Sequence, residues 1–593
     1  MNINNAIKEM TLEEKIGQKI MLDFRYWNPL GETNQDMIEP NEQVEAILSE
    51  NHIGGIILFS NNLKERVQIE RLTAWFATFK TQRGLRLFVA TDNEGGNVFR
   101  LPREHYSSFP GNMALAAAFQ GGCTRQLAYE QGKKMAQDMM SLNINTNFAP
   151  VVDVNDNPAN PVINVRAFSD STEVVDELAT LIASGMNSER VISAYKHFPG
   201  HGSTSTDSHT SLPYVSRTRE EALAIDIAPY KSAIDSDHAP DMIMTAHIQY
   251  PSLDNSVVNT SGSQEIIVPA TMSHAIQTTL LRNELGFQGV TITDALDMGA
   301  IANHFNHGHA LELVFKAGVD IALMPISIST AQQACLLPAL VKTIADKVRI
   351  GELSEAEIDM SVERILRLKQ RYGLCGEPQA TSPISRELSS NLEKNIADAA
   401  ITVVINKQAT LPLTSKTKSY FILTPWSEQG DGIAKVLTEN GYYNVITARE
   451  SDLDEAGIKA CIDKCDIFLL ASLVTSFTPA ESTLFSSSQD SDAKLSYFQY
   501  AKSVGKTAIH LALRAPYDII NYAEIVDASV TSYSYFGYTN GTWRGPSMIS
   551  LTEVIIGKLS PVGKLPVNIW SQYDSETNTG TVAFPRGFGL RWD

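Results

Sequence analysis

The sequence predicts an α/β fold in which a TIM-like (β/α)8 barrel is followed by a second α/β domain. Three observations carry this expectation. Between residues 50 and 330, short β-branched runs alternate with amphipathic helical stretches. The runs are apolar throughout, the mark of parallel strands covered on both faces. The alternation repeats over several hundred residues, stops at a Pro/Ser/Gly-rich segment, and resumes beyond it. So many units favour a closed barrel over an open sheet, although alternation alone does not decide closure.

The candidate barrel strands are, in order, HIGGIILF (52–59), LRLFVAT (85–91), INTNFAPV (144–151), VISAYKH (191–197), DMIMTAH (241–247), GVTITD (289–294) and GVDIALM (318–324). Helical segments such as 123–141 and 269–286 lie between them. A helix at 354–372 closes the first unit, assigned to 1–375. GEPQATSPIS interrupts both periodicities and reads as a linker, 376–386. The second unit, 387–593, opens with a helix at 387–400 and continues through AITVVIN, KSYFILTPW, CDIFLLASLV, KTAIHLAL and VDASVTSYSY.

Composition narrows the function classes. Of 593 residues, 43% are hydrophobic and 19% charged, enough apolar surface for sizeable cores and unlike a disordered or coiled-coil chain. Lys and Arg number 48 against 67 Asp and Glu, a net charge of −19 that disfavours nucleic acid and anionic membranes as partners. The longest apolar runs, such as 53–59, fall far short of the ~20 residues needed to span a bilayer. The N-terminal segment has no apolar h-region or small-residue cleavage site. Cys123, Cys335, Cys375, Cys461 and Cys465 are too scattered for a disulfide framework. The expectation is an acidic cytoplasmic enzyme, monomer or dimer, without a cofactor.

The polar residues sit where a barrel builds its active site. Asp92, Lys196, His197, His247 and Asp294 all fall at the C-terminal ends of candidate strands. AYKHFPGHGSTSTDSHTSLP (194–213) adds His201, Asp207 and His209 in a loop rich in Gly, Ser and Thr. Asp207 and His209 are two apart, close enough for the carboxylate to orient the imidazole and raise its basicity. The same histidines and aspartate could ligate a metal, but no helix-borne ligand spacing supports that reading. No GxSxG elbow announces a serine nucleophile. Asp294 ends a strand between Thr293 and Ala295, and ATDNEGGNVFRLP (90–102) offers Asp92 and Arg100 as a clamp for sugar hydroxyls.

These segments together resemble glycoside hydrolase family 3. The run from Arg282 to Asp294 resembles the family's nucleophile signature, and KHFPGHG followed by TDSH (196–209) resembles the loop of its β-N-acetylglucosaminidase branch. DNEGGNVFRL, FAPVVDV, NVRAF (164–168) and AGVDIALMP (317–325) fall in the family's order, so the likeness covers nearly all of 10–375. The remainder, from ITVVINKQATLPL to GKLPVNI and GFGL, resembles the α/β sandwich of two-domain members. The resemblance implies Asp294 as nucleophile and His209 as general acid/base tuned by Asp207. It implies Asp92, Arg100, Arg166, Lys196 and His197 as ligands of a terminal N-acetylglucosamine from cell-wall or chitin-derived oligosaccharides. Two departures, Asn97 where the family commonly has Arg and STST in the histidine loop, bear on substrate preference.

The implied chemistry is self-consistent. Retaining hydrolysis needs a nucleophile on one side of the bond and a proton donor on the other. An ordinary imidazole, titrating at about 6.5, suits proton transfer near neutrality. Three alternatives stand beside hydrolysis: phosphorolysis, in which a neutral histidine base would not repel phosphate; a β-glucosidase or β-xylosidase, whose relatives lack the TDSH pair; and a non-catalytic sugar-binding protein.

Overall fold

The computed structural model describes residues 2–31, 34–209, 211–376, 389–473, 491–574 and 579–592. Its first sheet has eight parallel strands: β1 (Ile20–Asp23), β2 (Gly55–Leu58), β3 (Phe88–Thr91), β4 (Thr146–Asn147), β5 (Ile192–Phe198), β6 (Met242–Thr245), β7 (Val290–Thr293) and β8 (Ala322–Leu323). β8 pairs with β1, and a parallel bridge between Ile292 and Ile321 joins β7 to the start of β8. The sheet is therefore closed into a TIM-like barrel. The strand absent from the sequence reading is β1, whose four residues IMLD lie too close to the preceding helix Leu12–Gln18 to register as a separate run.

Packing explains why the strands do not alternate in sequence. Inside the barrel lie Met21, Ile57, Phe88, Ala90, Ile192, Ala194, Met242, Met244, Val290, Ile292 and Leu323. The intervening Leu22, Ile56, Val89, Tyr195 and Ile243 face the helix layer and join a larger core. Both faces are apolar, so the two-residue period is hidden in composition and visible only in space.

The same period aims the polar residues. Asp92 continues the inward series of Phe88 and Ala90, Lys196 that of Ile192 and Ala194, and Asp294 that of Val290 and Ile292. His247 has the parity of the outward Ile243. It is buried against Thr271 Oγ1 at 2.9 Å and the Ala295 carbonyl at 3.0 Å. The expectation that all five strand-end residues serve one site fails at this position.

Residues after 400 form a six-stranded sheet. Its strands are β9 (Thr402–Asn406), β10 (Tyr420–Thr424), β11 (Val445–Arg449), β12 (Ile467–Ser472), β13 (Thr507–Ala512) and β14 (Ala528–Thr531). They run in the order β9-β14-β13-β12-β10-β11, parallel except for β9 against β14. Hydrophobic cores cover both faces, giving a C-terminal α/β sandwich. β11 escaped the sequence reading because this edge strand is only half covered. Gly376 apart, the linker assigned to 376–386 lies outside the described residues. Among the described residues no helix is long and apolar enough to cross a membrane.

The two units share a packed boundary. Helix Asn112–Gln120 of the barrel lies against helix Ser389–Ala400. Met113, Ala117 and Val165 join Ala400, Ala515, Tyr533 and Val567 in one apolar cluster. Arg514, fully buried, donates to Asn164 Oδ1 at 3.0 Å, and Asn155 donates to the Tyr517 hydroxyl at 2.8 Å.

Candidate active site

A cavity of about 170 Å³ opens at the C-terminal ends of the barrel strands. Asp92, Arg100, Arg166, Lys196, His197, His209 and Asp294 all line it. Asp207 stands behind His209 and does not reach the wall.

Its floor is a pre-paired charge network. Lys196 Nζ lies 2.9 Å from Asp92 and 2.6 Å from Glu94. Arg166 grips the same Glu94 through two hydrogen bonds, at 2.9 and 2.8 Å. Burial pushes the Glu94 carboxyl upward, but Arg166 and Lys196 outweigh it and hold the group well below the ordinary range. Burial lowers Lys196 and Arg166 in turn, and the carboxylates of Asp92 and Glu94 more than reverse this. Glu94 lies in the quoted DNEGG run, yet sequence reasoning passed over it. Its side chain is buried and spent on neighbours, and nothing in the spacing signals that.

A second buried carboxylate, Asp153, fixes the histidines. His197 Nδ1 donates to Asp153 Oδ2 at 2.7 Å, leaving Nε2 to face the cavity and Arg166 Nη2 at 3.5 Å. The backbone N–H of His201 donates to Asp153 Oδ1 at 2.7 Å. The His201 ring bonds Thr204 Oγ1 at 2.7 Å and Ser208 Oγ at 3.1 Å. Burial lowers this imidazole to about 4 despite Asp153. His201 is a neutral strut within the loop, and both its ring nitrogens are committed.

The loop after β5 carries His209 and Asp207 as a hydrogen-bonded pair. Gly202 allows its close approach to the preceding wall, because a Cβ there would collide with the Val154 carbonyl oxygen. Farther along, His209 Nδ1 donates to Asp207 Oδ1 at 2.8 Å, and Asp207 also accepts from the His209 backbone N–H at 2.8 Å. Burial pushes Asp207 upward, but these bonds hold it below the ordinary carboxylate value. A carboxylate can only accept, so Nδ1 keeps its proton and Nε2 is the atom free to exchange one. The His209 side chain is 39% exposed against 14% for Asp207, placing the imidazole at the cavity mouth. Gly299 N–H donates to the His209 carbonyl at 3.1 Å, tying the loop to the segment after Asp294.

Asp294 accepts from the Ala295 N–H at 2.7 Å. Burial raises its carboxyl, but the nearby His197, His247 and His209 prevail, and it remains below the ordinary aspartate value. It is thus held as the anion. Beside it, Arg25 bridges Asp23 at 2.6 Å and Asp297 at 2.8 Å, and both Arg25 and Asp297 line the cavity. Arg25 follows β1, the strand absent from the sequence reading, and so was not marked there as a cavity residue; its neighbour Trp27 is buried in the larger core around the barrel.

Comparison with known proteins finds relatives along almost the whole chain. The signature described as the glycosyl hydrolase family 3 N terminal domain matches residues 11–368. The β-hexosaminidase A of Pseudoalteromonas piscicida is 36% identical, the match covering 94% of this chain and 97% of that protein. A solved family 3 β-N-acetylglucosaminidase from a Paenibacillus species superposes with a TM-score of 0.77 at 28% identity, covering 94% of this chain and 99% of that one. A β-glucoside phosphorylase, at 19% identity and a TM-score of 0.74 over 96% of each chain, shares the fold. The chain belongs to glycosyl hydrolase family 3.

Proposed function

We propose that this protein is a β-hexosaminidase, more narrowly a retaining exo-β-N-acetylglucosaminidase that releases terminal β-linked N-acetylglucosamine from oligosaccharides. The observation that carries the reading is the convergence of ionised Asp294 and the His209–Asp207 pair on one small cavity with a polar, pre-paired floor. The likeness to β-hexosaminidase A supports the substrate class. A cavity of about 170 Å³ suits a single pyranose held by its non-reducing end. Asp92, Arg100, Arg166, Lys196 and His197 would meet its hydroxyl and acetamido groups from fixed directions, so little side-chain entropy is lost on binding.

In the first step the Asp294 carboxylate bonds to the anomeric carbon as the glycosidic bond breaks. The His209 imidazolium, stabilised by Asp207, gives its Nε2 proton to the leaving oxygen. In the second step neutral Nε2 takes a proton from water, and the water oxygen displaces Asp294 to release the sugar with its configuration retained.

Asp294→Asn should abolish turnover of an aryl β-N-acetylglucosaminide while leaving the fold intact by circular dichroism; full activity in that variant contradicts the nucleophile. Phosphorolysis is the second reading, because the base is a neutral imidazole and Arg25 and Arg100 lie on the cavity wall. Sugar-1-phosphate formed only when phosphate is present would favour it over hydrolysis.

A further inference from the structure

A cavity of about 280 Å³ lies at the C-terminal ends of β12 and β13 and shares no lining residue with the catalytic cavity. β12 flanks the place where the strand order of the second sheet reverses. The chain runs from β10 outward to β11, then returns to β12 on the other side of β10. Crevices beside such a reversal are where open α/β sheets take their ligands. Ser472, Lys494, Asp518 and Tyr522 of the C-terminal domain line it together with Pro158 and Ala159 of the barrel. We propose that this cavity is a second monosaccharide site, which binds one neutral pyranose through Asp518 and Lys494 and acts on turnover through the histidine loop. The action on turnover rests on the glycosidase reading above; the binding does not.

Asp518 is the acceptor. Ser472 Oγ donates to Asp518 Oδ2. A carboxylate only accepts, so the single serine proton goes there. His510 therefore donates to Ser472 from Nε2, at 2.6 Å, while its Nδ1 accepts from Ser529 Oγ at 2.9 Å. Burial lowers this imidazole to about 3, and Lys494 acts in the same direction, so the ring stays neutral and keeps that orientation. Burial also pushes the Asp518 carboxyl up to about 6, against the pull of Ser472 and Lys494, which leaves it ionised at neutral pH. One of its oxygens is thus fixed, whereas the other, Oδ1, is buried with no hydrogen-bond partner among the described residues. A buried acceptor without a partner is costly, and a ligand hydroxyl satisfies it.

Lys494 supplies the complementary donor. Its side chain is 5% exposed and is held by Glu450 at 2.8 Å, and an ammonium has three protons to give. A sugar hydroxyl can donate to Asp518 and accept from Lys494 at once, the same combination of groups that Asp92 and Lys196 place on the catalytic floor. Leu473, Tyr517 and Tyr522 add apolar surface for the C–H face of the ring. The barrel side of the cavity accounts for the action on turnover, because Asn157 and Asn160 bracket Pro158 and Ala159. Asn157 donates to the carbonyls of Ser203 and Thr204, at 3.2 Å each. Asn160 donates to those of His201 at 2.9 Å and Gly202 at 3.0 Å. A sugar against Pro158 and Ala159 thus bears on the loop that carries Asp207 and His209.

The test uses N-acetylglucosamine as the probe and the full-length protein. By titration calorimetry the wild type should bind two molecules per chain, one in each cavity, and Asp518→Ala only one. Asn521→Trp, at an exposed position on the rim, fills the cavity without opening a core and should also bind one. In steady-state kinetics on p-nitrophenyl β-N-acetylglucosaminide, sugar in the catalytic cavity alone raises KM and leaves kcat. A shift of kcat with added sugar therefore reports the second cavity. That shift should be lost in both variants, whose kcat/KM without sugar should match the wild type. A count unchanged from wild type in both variants, with like circular dichroism, overturns the site, and a wild-type kcat unmoved by sugar overturns its action on turnover. If the wild type does not cleave the aryl substrate, the hexosaminidase reading falls, while the loss of one bound molecule in the variants still decides the second site.

Discussion

His209 shows how a neighbour assigns a role to a side chain. Its bond to Asp207 fixes the proton on Nδ1 and leaves Nε2 at the cavity mouth. Proton donation matters most when the leaving oxygen is basic. Removing His209 should therefore cost about 10²–10⁴-fold on a disaccharide, and at least about tenfold less on an aryl glycoside of low leaving-group pKa, which needs little protonation. Steady-state kinetics on the two substrates checks this, and equal losses would sink the acid/base role. Of the residues that touch substrate in this reading, Asp92, Lys196, His197 and Asp294 stand out as charged or basic groups at strand ends. His209 and Arg100 lie in loops, and Arg166 comes only from the family resemblance. Glu94 and Asp153 do not stand out, although each organises two cavity residues. A buried carboxylate reveals its role through the partners that surround it, and those partners come from distant parts of the chain.

At the scale of elements, strand parity is the main determinant except at His197, which follows the inward Lys196 and still lines the cavity where β5 leaves regular register after Tyr195. Once β3, β5 and β7 are placed, a two-residue step carries Asp92, Lys196 and Asp294 into the mouth, and the same step sends His247 into the wall. The strand positions were readable from apolar runs, whereas the inside and outside faces were not, because both are apolar. β1 and β11 were missed for separate reasons: one is fused in sequence to the preceding helix, and the other is a half-covered edge. The loop after β5 depends on a different device, the neutral His201. Its folded value of about 4 lies below the ~6.5 of an unfolded chain. Between those values the unfolded state binds a proton that the folded loop refuses. The contribution of His201 is thus fully present above ~6.5 and is lost as pH falls toward 4. His201→Gln removes that titration. The stability gap between wild type and variant should narrow by about 2–3 kcal/mol between about pH 7 and pH 4.5. Urea denaturation at the two pH values measures it, and a constant gap would show that His201 is not held neutral by the fold.

On the scale of the whole molecule, the charge of −19 and the basic residues at the barrel cavity are compatible because those residues are paired with carboxylates on the spot. Lys196 and Arg166 are neutralised locally by Asp92 and Glu94, so a sugar meets a balanced floor and not a net field. The break in periodicity marks in the sequence where one domain is expected to end, but not what packs across that boundary. Nothing in the linker composition announces that helix Asn112–Gln120 is covered by the second domain, or that Arg514 crosses to Asn164. The shared cluster around Ala117 and Tyr533 is continuous apolar packing, and Lys564 N–H donates to the Ala117 carbonyl at 3.1 Å. Two domains joined in this way should unfold together, so calorimetry on the wild-type protein is expected to give a single transition. Ala117→Arg forces an unpaired guanidinium into the cluster, at a cost of about 3–5 kcal/mol. That cost falls on the boundary and leaves the barrel interior and the six-stranded sheet intact. The expected outcome is two resolved transitions, the lower one shifted below the wild-type midpoint. A single transition at the wild-type midpoint would mean that the cluster contributes nothing to coupling.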